Sequence, residues 1–88
     1  MEVRFKASFK RDIKRIQDQS VLDGIGQAID NVKAADTLGA INSLSKLRGY
    51  KDFYRIRVGS YRLGLKIVDG EIIFVRVLPR KDIYRFFP

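Results

Sequence analysis

Arginines alternate with apolar residues through Tyr54-Arg55-Ile56-Arg57-Val58, and again after Gly59-Ser60 in Tyr61-Arg62-Leu63. A guanidinium is a planar fork of donors that keeps its charge at any physiological pH, and it binds phosphate through two parallel hydrogen bonds. Several of them on one face therefore predict a site for a polyanion. The chain contains neither histidine nor cysteine. The commonest general base, the commonest metal ligand and thiolate chemistry are all missing. No carboxylate pair stands out either, so a Ser-His-Asp triad, a metal hydrolase and a two-carboxylate glycosidase are poor fits. No phosphate-binding Gly-x-x-x-x-Gly-Lys-Ser/Thr loop is present. What remains is cationic and phenolic: arginines, lysines, and Tyr54, Tyr61 and Tyr84. This set suits metal-free cleavage of RNA, in which a ribose 2′-hydroxyl attacks its own phosphate and the protein fixes geometry and stabilises charge. Tyrosines add stacking platforms for unpaired bases.

The arginines need strands to hold them in register. Tyr54, Ile56 and Val58 point to one side of a strand over about 52–58, and Phe53, Arg55 and Arg57 to the other. Gly59-Ser60 has the form of a two-residue type II′ hairpin turn. It places Val58 opposite Tyr61, Arg57 opposite Arg62 and Arg55 opposite Gly64. The partner strand runs to Val68 with Tyr61, Leu63, Leu65 and Ile67 on the core side. Like charges facing each other across paired strands are destabilising, so Arg57 and Arg62 break a local rule, with Arg55 and Lys66 adding to the charge. A broken rule without visible compensation marks a place to expect function. The plain alternative is that the arginines splay into water or pair with Asp52, Asp82 or Glu71. After Asp69-Gly70 comes a last strand from Ile72 to Leu78. A three-residue loop, which puts Ile73, Val75 and Val77 in the core, is preferred to a two-residue turn that buries Arg76. Pro79 ends this strand, and residues 80–85 form a basic tail with a turn of helix.

Upstream, residues 2–6 alternate as a short strand. Phe9, Ile13 and Ile16 recur at helical spacing behind Ser8, a suitable cap. A second helix follows Ser20, which heads a capping-box pattern with Asp23. Val21, Leu22, Ile25, Ile29 and Val32 line its face, and Gly24 and Gly26 would let the two helices approach closely. Leu38, Ile41, Leu44 and Leu47 suit a turn of helix over the core. The expected architecture is α+β, in the order β-α-α-β-β-β: a twisted antiparallel sheet with a helical hairpin packed on one face. Nothing divides the 88 residues, which form a single domain, 1–88.

Charge agrees with the polyanion reading. Residues 1–44 hold seven basic and six acidic side chains, and residues 45–88 hold eleven and four, a net of +1 against +7. Such asymmetry points to nucleic acid or to an acidic protein partner. No apolar run approaches the roughly 20 residues of a membrane span, and charges interleave from Glu2 onward without a signal-peptide layout. A soluble, cytoplasmic protein is expected.

Taken in order, Leu47-Arg48-Gly49, Tyr54-Arg55-Ile56-Arg57, Gly59-Ser60-Tyr61-Arg62-Leu63 and Pro79-Arg80-Lys81-Asp82-Ile83-Tyr84 resemble the RelE/ParE superfamily of type II toxins. The resemblance extends over nearly the whole chain in length and element order. It implies a toxin neutralised by a cognate antitoxin protein. On the RelE branch it implies an endoribonuclease, an mRNA interferase that enters the ribosome and cuts mRNA in the A site. It also implies that no metal, small-molecule cofactor or membrane takes part. Position by position, it implies that Arg62 contacts the scissile phosphate and Arg80 stabilises the transition state or leaving group. Tyr84 would stack on a base and take part in proton transfer. Arg55 and Arg57 occupy paired basic positions, with Lys51 and Lys81 as further RNA contacts. Two departures bear on the general base. Several relatives carry lysine where this chain has Arg55 and Arg57, and many carry histidine at Pro79. The base is thus left among Tyr84, Lys51 and Lys81. The ParE branch shares the scaffold but poisons DNA gyrase, and a non-catalytic RNA-binding module is the third reading.

Overall fold

The computed structural model describes residues 1–88. Strand β1 (Glu2–Phe5) leads into helices α1 (Ala7–Lys14) and α2 (Gln19–Ala34). A single 3-10 turn at Leu38–Ala40 precedes a three-residue strand, β2 (Leu44–Lys46). Strands β3 (Phe53–Val58), β4 (Tyr61–Val68) and β5 (Glu71–Pro79) follow, and α3 (Arg80–Phe86) closes the chain. The sheet order is β1-β5-β4-β3-β2. The α+β class and the helix pair over the sheet are as expected, with two refinements. The sheet is mixed, because β1 runs parallel to β5. The segment around 44–46 is a strand on the far edge and not a helical turn.

The hairpin of β3 and β4 has the expected register: Arg55 opposite Gly64, Arg57 opposite Arg62, Val58 opposite Tyr61. Gly59 at φ +58 supplies the left-handed first position of its turn. The next turn corrects the sequence reading. Val68 pairs with Glu71, so Asp69-Gly70 is a two-residue turn, and both residues have positive φ as a type I′ turn requires. Ile72 and Phe74 enter the core in place of Ile73 and Val75. A bulge at Gly64/Leu65 then shifts the alternation, so that Val77 is again inside. Arg76 is not orphaned. Its Nε donates to Asp12 Oδ2 at 2.7 Å and its guanidinium again to Oδ1 at 3.1 Å, while the Val77 N–H donates to the same carboxylate at 3.0 Å. The hydrogen bond to Asp12 raises the Arg76 pKa. Asp12 thus holds α1 against the part of β5 that extends beyond β1.

One face of the sheet carries the main core: Phe9, Ile25 and Val32 from the helices pack on Ile56, Leu63, Leu65, Ile72 and Phe74. Both helix caps differ from expectation. Asp18, and not Ser20, caps α2: its carboxylate accepts the Ser20 hydroxyl at 2.7 Å and the Ser20 N–H at 2.9 Å, and both bonds lower its pKa. Ser8 lies inside α1 and donates its hydroxyl to the Val75 carbonyl. Gly24 does not serve helix–helix packing: a Cβ there would meet the Val58 side chain at 3.0 Å, so the glycine lets α2 ride low over β3. The opposite face carries α3. Gly64 is buried there, and a Cβ on it would fall 2.8 Å from the Phe87 ring. Phe87 also meets Phe53 edge-on at 5.5 Å between centroids. The basic tail is therefore fastened to the arginine-bearing face of the hairpin.

Candidate functional site: an arginine cleft

The hairpin turn gathers the site. Arg62 begins on β4 with only 8% of its surface exposed. Its guanidinium donates to the Gly59 and Tyr61 carbonyls, each at 2.9 Å. The Arg80 N–H donates to the Ser60 carbonyl at 2.8 Å, which ties the first residue of α3 to the same turn. One helical turn along, Tyr84 projects with 57% of its surface exposed, and the Arg55 guanidinium lies 5.3 Å from its ring centre. The result is a cleft of about 420 Å³ lined by Arg55, Arg57, Arg62, Arg80, Tyr84, Ser43 and Ser45.

No carboxylate enters it. The chain's two ion pairs, Arg4–Glu71 and Arg76–Asp12, lie elsewhere, and Asp52, Asp82 and Glu71 pair with none of the cleft arginines. Burial pulls the Arg62 pKa down, and the charges of Arg80, Arg57 and Arg55 push it the same way. Arginine remains charged even so. Four guanidiniums thus hold one another in an unfavourable field that a bound polyanion would relieve.

Five of the seven residues singled out from sequence meet here: Arg55, Arg57, Arg62, Arg80 and Tyr84. Lys81 lines an adjoining surface with Ser60, Arg80 and Tyr84. Lys51 is exposed and lies outside the cleft. Sequence reasoning missed Ser43 and Ser45, which reach the cleft because β2 pairs with β3 and sets Ser45 opposite Arg55. It also missed a second hollow, of about 370 Å³, where Lys46, Arg48 and Tyr50 join Arg55 and Tyr84. Only the existence of β2 could have signalled either.

A profile described as the ParE toxin of the type II toxin-antitoxin system parDE matches residues 3–84. Fold, site and match define a small α+β toxin, and the chain belongs to the RelE/ParE family of type II toxin-antitoxin systems. Within that family it is 37% identical to Toxin RelE3 of Methanocaldococcus jannaschii across the full length of both chains. Its structure resembles the crystal structure of a RelB-RelE antitoxin-toxin complex from Methanococcus jannaschii, with a TM-score of 0.80 and 35% identity over 97% of this chain and 99% of that one. The RelBE2 toxin-antitoxin complex of Mycobacterium tuberculosis shares the fold at a TM-score of 0.71 and 23% identity, covering 90% and 96%.

Proposed function

We propose that the protein is a ribosome-dependent endoribonuclease that cuts mRNA in the A site without a metal ion and is restrained by an antitoxin protein. The observation that carries this reading is the convergence of four guanidiniums in one cleft with no acidic partner and a tyrosine at the rim. In the reaction the 2′-oxygen attacks the adjacent phosphorus and the bond to the 5′-oxygen breaks. A 2′,3′-cyclic phosphate and a 5′-hydroxyl remain. The proton lost by the 2′-hydroxyl is balanced by one gained at the 5′-oxygen. Arg62, fixed by its two carbonyl contacts, is suited to hold the scissile phosphate, since it enters the reaction already oriented. Arg80 approaches from α3 and neutralises charge that develops on the phosphorane or the leaving oxygen. Tyr84 stacks on a base and is the proton-transfer group inside the cleft, with Lys81 beside it.

The same field suits an antitoxin. Acidic side chains of a partner segment would compensate the guanidiniums and block RNA, and a relative at 35% identity was crystallised as a RelB-RelE complex. A gyrase-poisoning reading draws on the ParE description of the matching profile. It gives no role to the joint placement of Arg62, Arg80 and Tyr84.

The test is substitution. Arg80 is exposed and its side chain makes no hydrogen bond within the protein, so Arg80→Ala should keep the fold and lower cleavage about 10²–10³-fold, as expected for loss of one preorganised charge stabiliser. Arg62→Ala should abolish growth arrest as well. Full toxicity in both variants would show that the cleft is not the site. Activity should persist with 1,10-phenanthroline, which binds transition metals and leaves the Mg²⁺ that ribosomes need, and its loss would contradict the metal-free mechanism.

A further inference from the structure

The arginine cleft does not end at its guanidiniums. Strand β2 pairs with β3 only as far as Ile56, which leaves the edge of β3 at Arg57 and Val58 without a strand beside it. Helix α2 flanks this gap with Gly24, Gln27, Ala28 and Asn31, one stripe at i, i+3, i+4 and i+7. Between helix and edge runs a groove of about 270 Å³, lined also by Asn42 and Ser43. Ser43 and Arg57 line both the groove and the arginine cleft, so the two are continuous.

Their chemistry differs. Arg57, at the junction, is the one charged residue that lines the groove; the remaining polar groups are the amides of Gln27, Asn31 and Asn42 and the Ser43 hydroxyl. The Asn31 Oδ1 accepts the Asn42 N–H at 2.9 Å. That bond fixes the orientation of the amide and leaves its NH₂ as a preset donor into the groove. The Gln27 amide has no partner within the protein and is free to offer both donor and acceptor. Contacts to phosphate carry no sequence information, whereas side-chain amides can pair with the edges of bases. Ala28 contributes only a methyl group to the groove wall.

We propose that this amide groove takes one unpaired base of the RNA whose phosphate lies in the arginine cleft, and that Gln27 and Asn31 set a base preference at a single position beside the cut. The inference rests on the endoribonuclease reading and deepens it. The base enters over the edge of β3 at Ser43–Arg57, and its polar edge meets the Asn31 NH₂ and the Gln27 amide. Both groups lie outside the cleft that holds the scissile phosphate, so they act on where the enzyme cuts and not on whether it can.

The experiment maps 5′ ends by sequencing after purified protein acts on ribosomes programmed with a mixed set of mRNAs. The wild type is compared with Gln27→Ala and Asn31→Asp. Gln27 is exposed on α2, so its truncation leaves the fold untouched. Asn31→Asp keeps the acceptor for the Asn42 N–H and exchanges the donor for an acceptor. The wild type should favour certain bases at one position beside the cut, and each variant should change that preference roughly tenfold at that position alone, the discrimination expected of a good amide–base contact. Arg80→Ala should slow all sites without altering the preference. A wild-type profile retained in both variants would overturn the groove as a base site while leaving the endoribonuclease reading in place. Uniform slowing with an unchanged profile would do the same. Absence of cleavage by the wild type would overturn both.

Discussion

Arg57 and Arg62 face each other across β3 and β4 with no carboxylate between them. Charges of one sign in that arrangement weaken the fold, and screening by salt reduces the effect because the Debye length is short, about 10 Å at 0.1 M. Arg57 is exposed and makes no hydrogen bond within the protein, so it bears the electrostatic cost without a structural return. Arg57→Gln should therefore raise stability by about 0.5 kcal/mol at low salt, with the gain shrinking as salt is added, while RNA cleavage falls. Thermal melts at two ionic strengths check this; a loss of stability at low salt would contradict it. Arg62 behaves differently, because its two contacts to the turn carbonyls offset the same repulsion. The alternation of arginine and apolar residues made this face legible in the sequence. The burial of Arg62 was not legible, since it depends on how the turn folds back and on a helix arriving from the far end of the chain.

Among the elements, α3 completes the site. It is seven residues long and is held by Ile83 and Phe87 against the second face of the sheet, with the Phe87 ring lying over Gly64. A methyl group on Gly64 would come within 2.8 Å of that ring. Gly64→Ala should displace the tail, cost about 1–3 kcal/mol, and reduce cleavage by moving Arg80 and Tyr84 away from Arg62. Urea unfolding together with a cleavage assay tests this, and wild-type activity in a destabilised variant would show that α3 does not position the site. The β3–β4 register could be read because a Gly-X turn and a strict alternation specify the same pairing. The β5 register could not. The objection to burying Arg76 was sound in energy, but the partner that answers it, Asp12, is 64 residues away in sequence. The parallel pairing of β1 with β5 and the short strand β2 are equally non-local. The alternation of β1 marks a strand but not the partner it pairs with, and the three residues of β2 are too few to carry a clear period.

For the molecule as a whole, the two faces of one sheet divide the work. The helical hairpin buries one face and supplies the core, while the other presents four arginines, partly roofed by α3. The net charge of +8 is concentrated in the half of the chain that builds this second face, which favours rapid encounter with a polyanion such as a ribosome-bound message. Membership of the RelE/ParE family sets the biological frame of a toxin. On the endoribonuclease reading proposed above, the arginines and tyrosine of the cleft act together; the gyrase-poisoning reading leaves that set without a role. Primer extension on mRNA from translating ribosomes treated with the purified protein decides the matter most directly. The account predicts discrete 5′-hydroxyl ends within A-site codons, about 10²–10³-fold weaker with Arg80→Ala and absent when the same RNA is free of ribosomes. Intact message on ribosomes, with DNA damage and supercoiling defects in expressing cells, would contradict it.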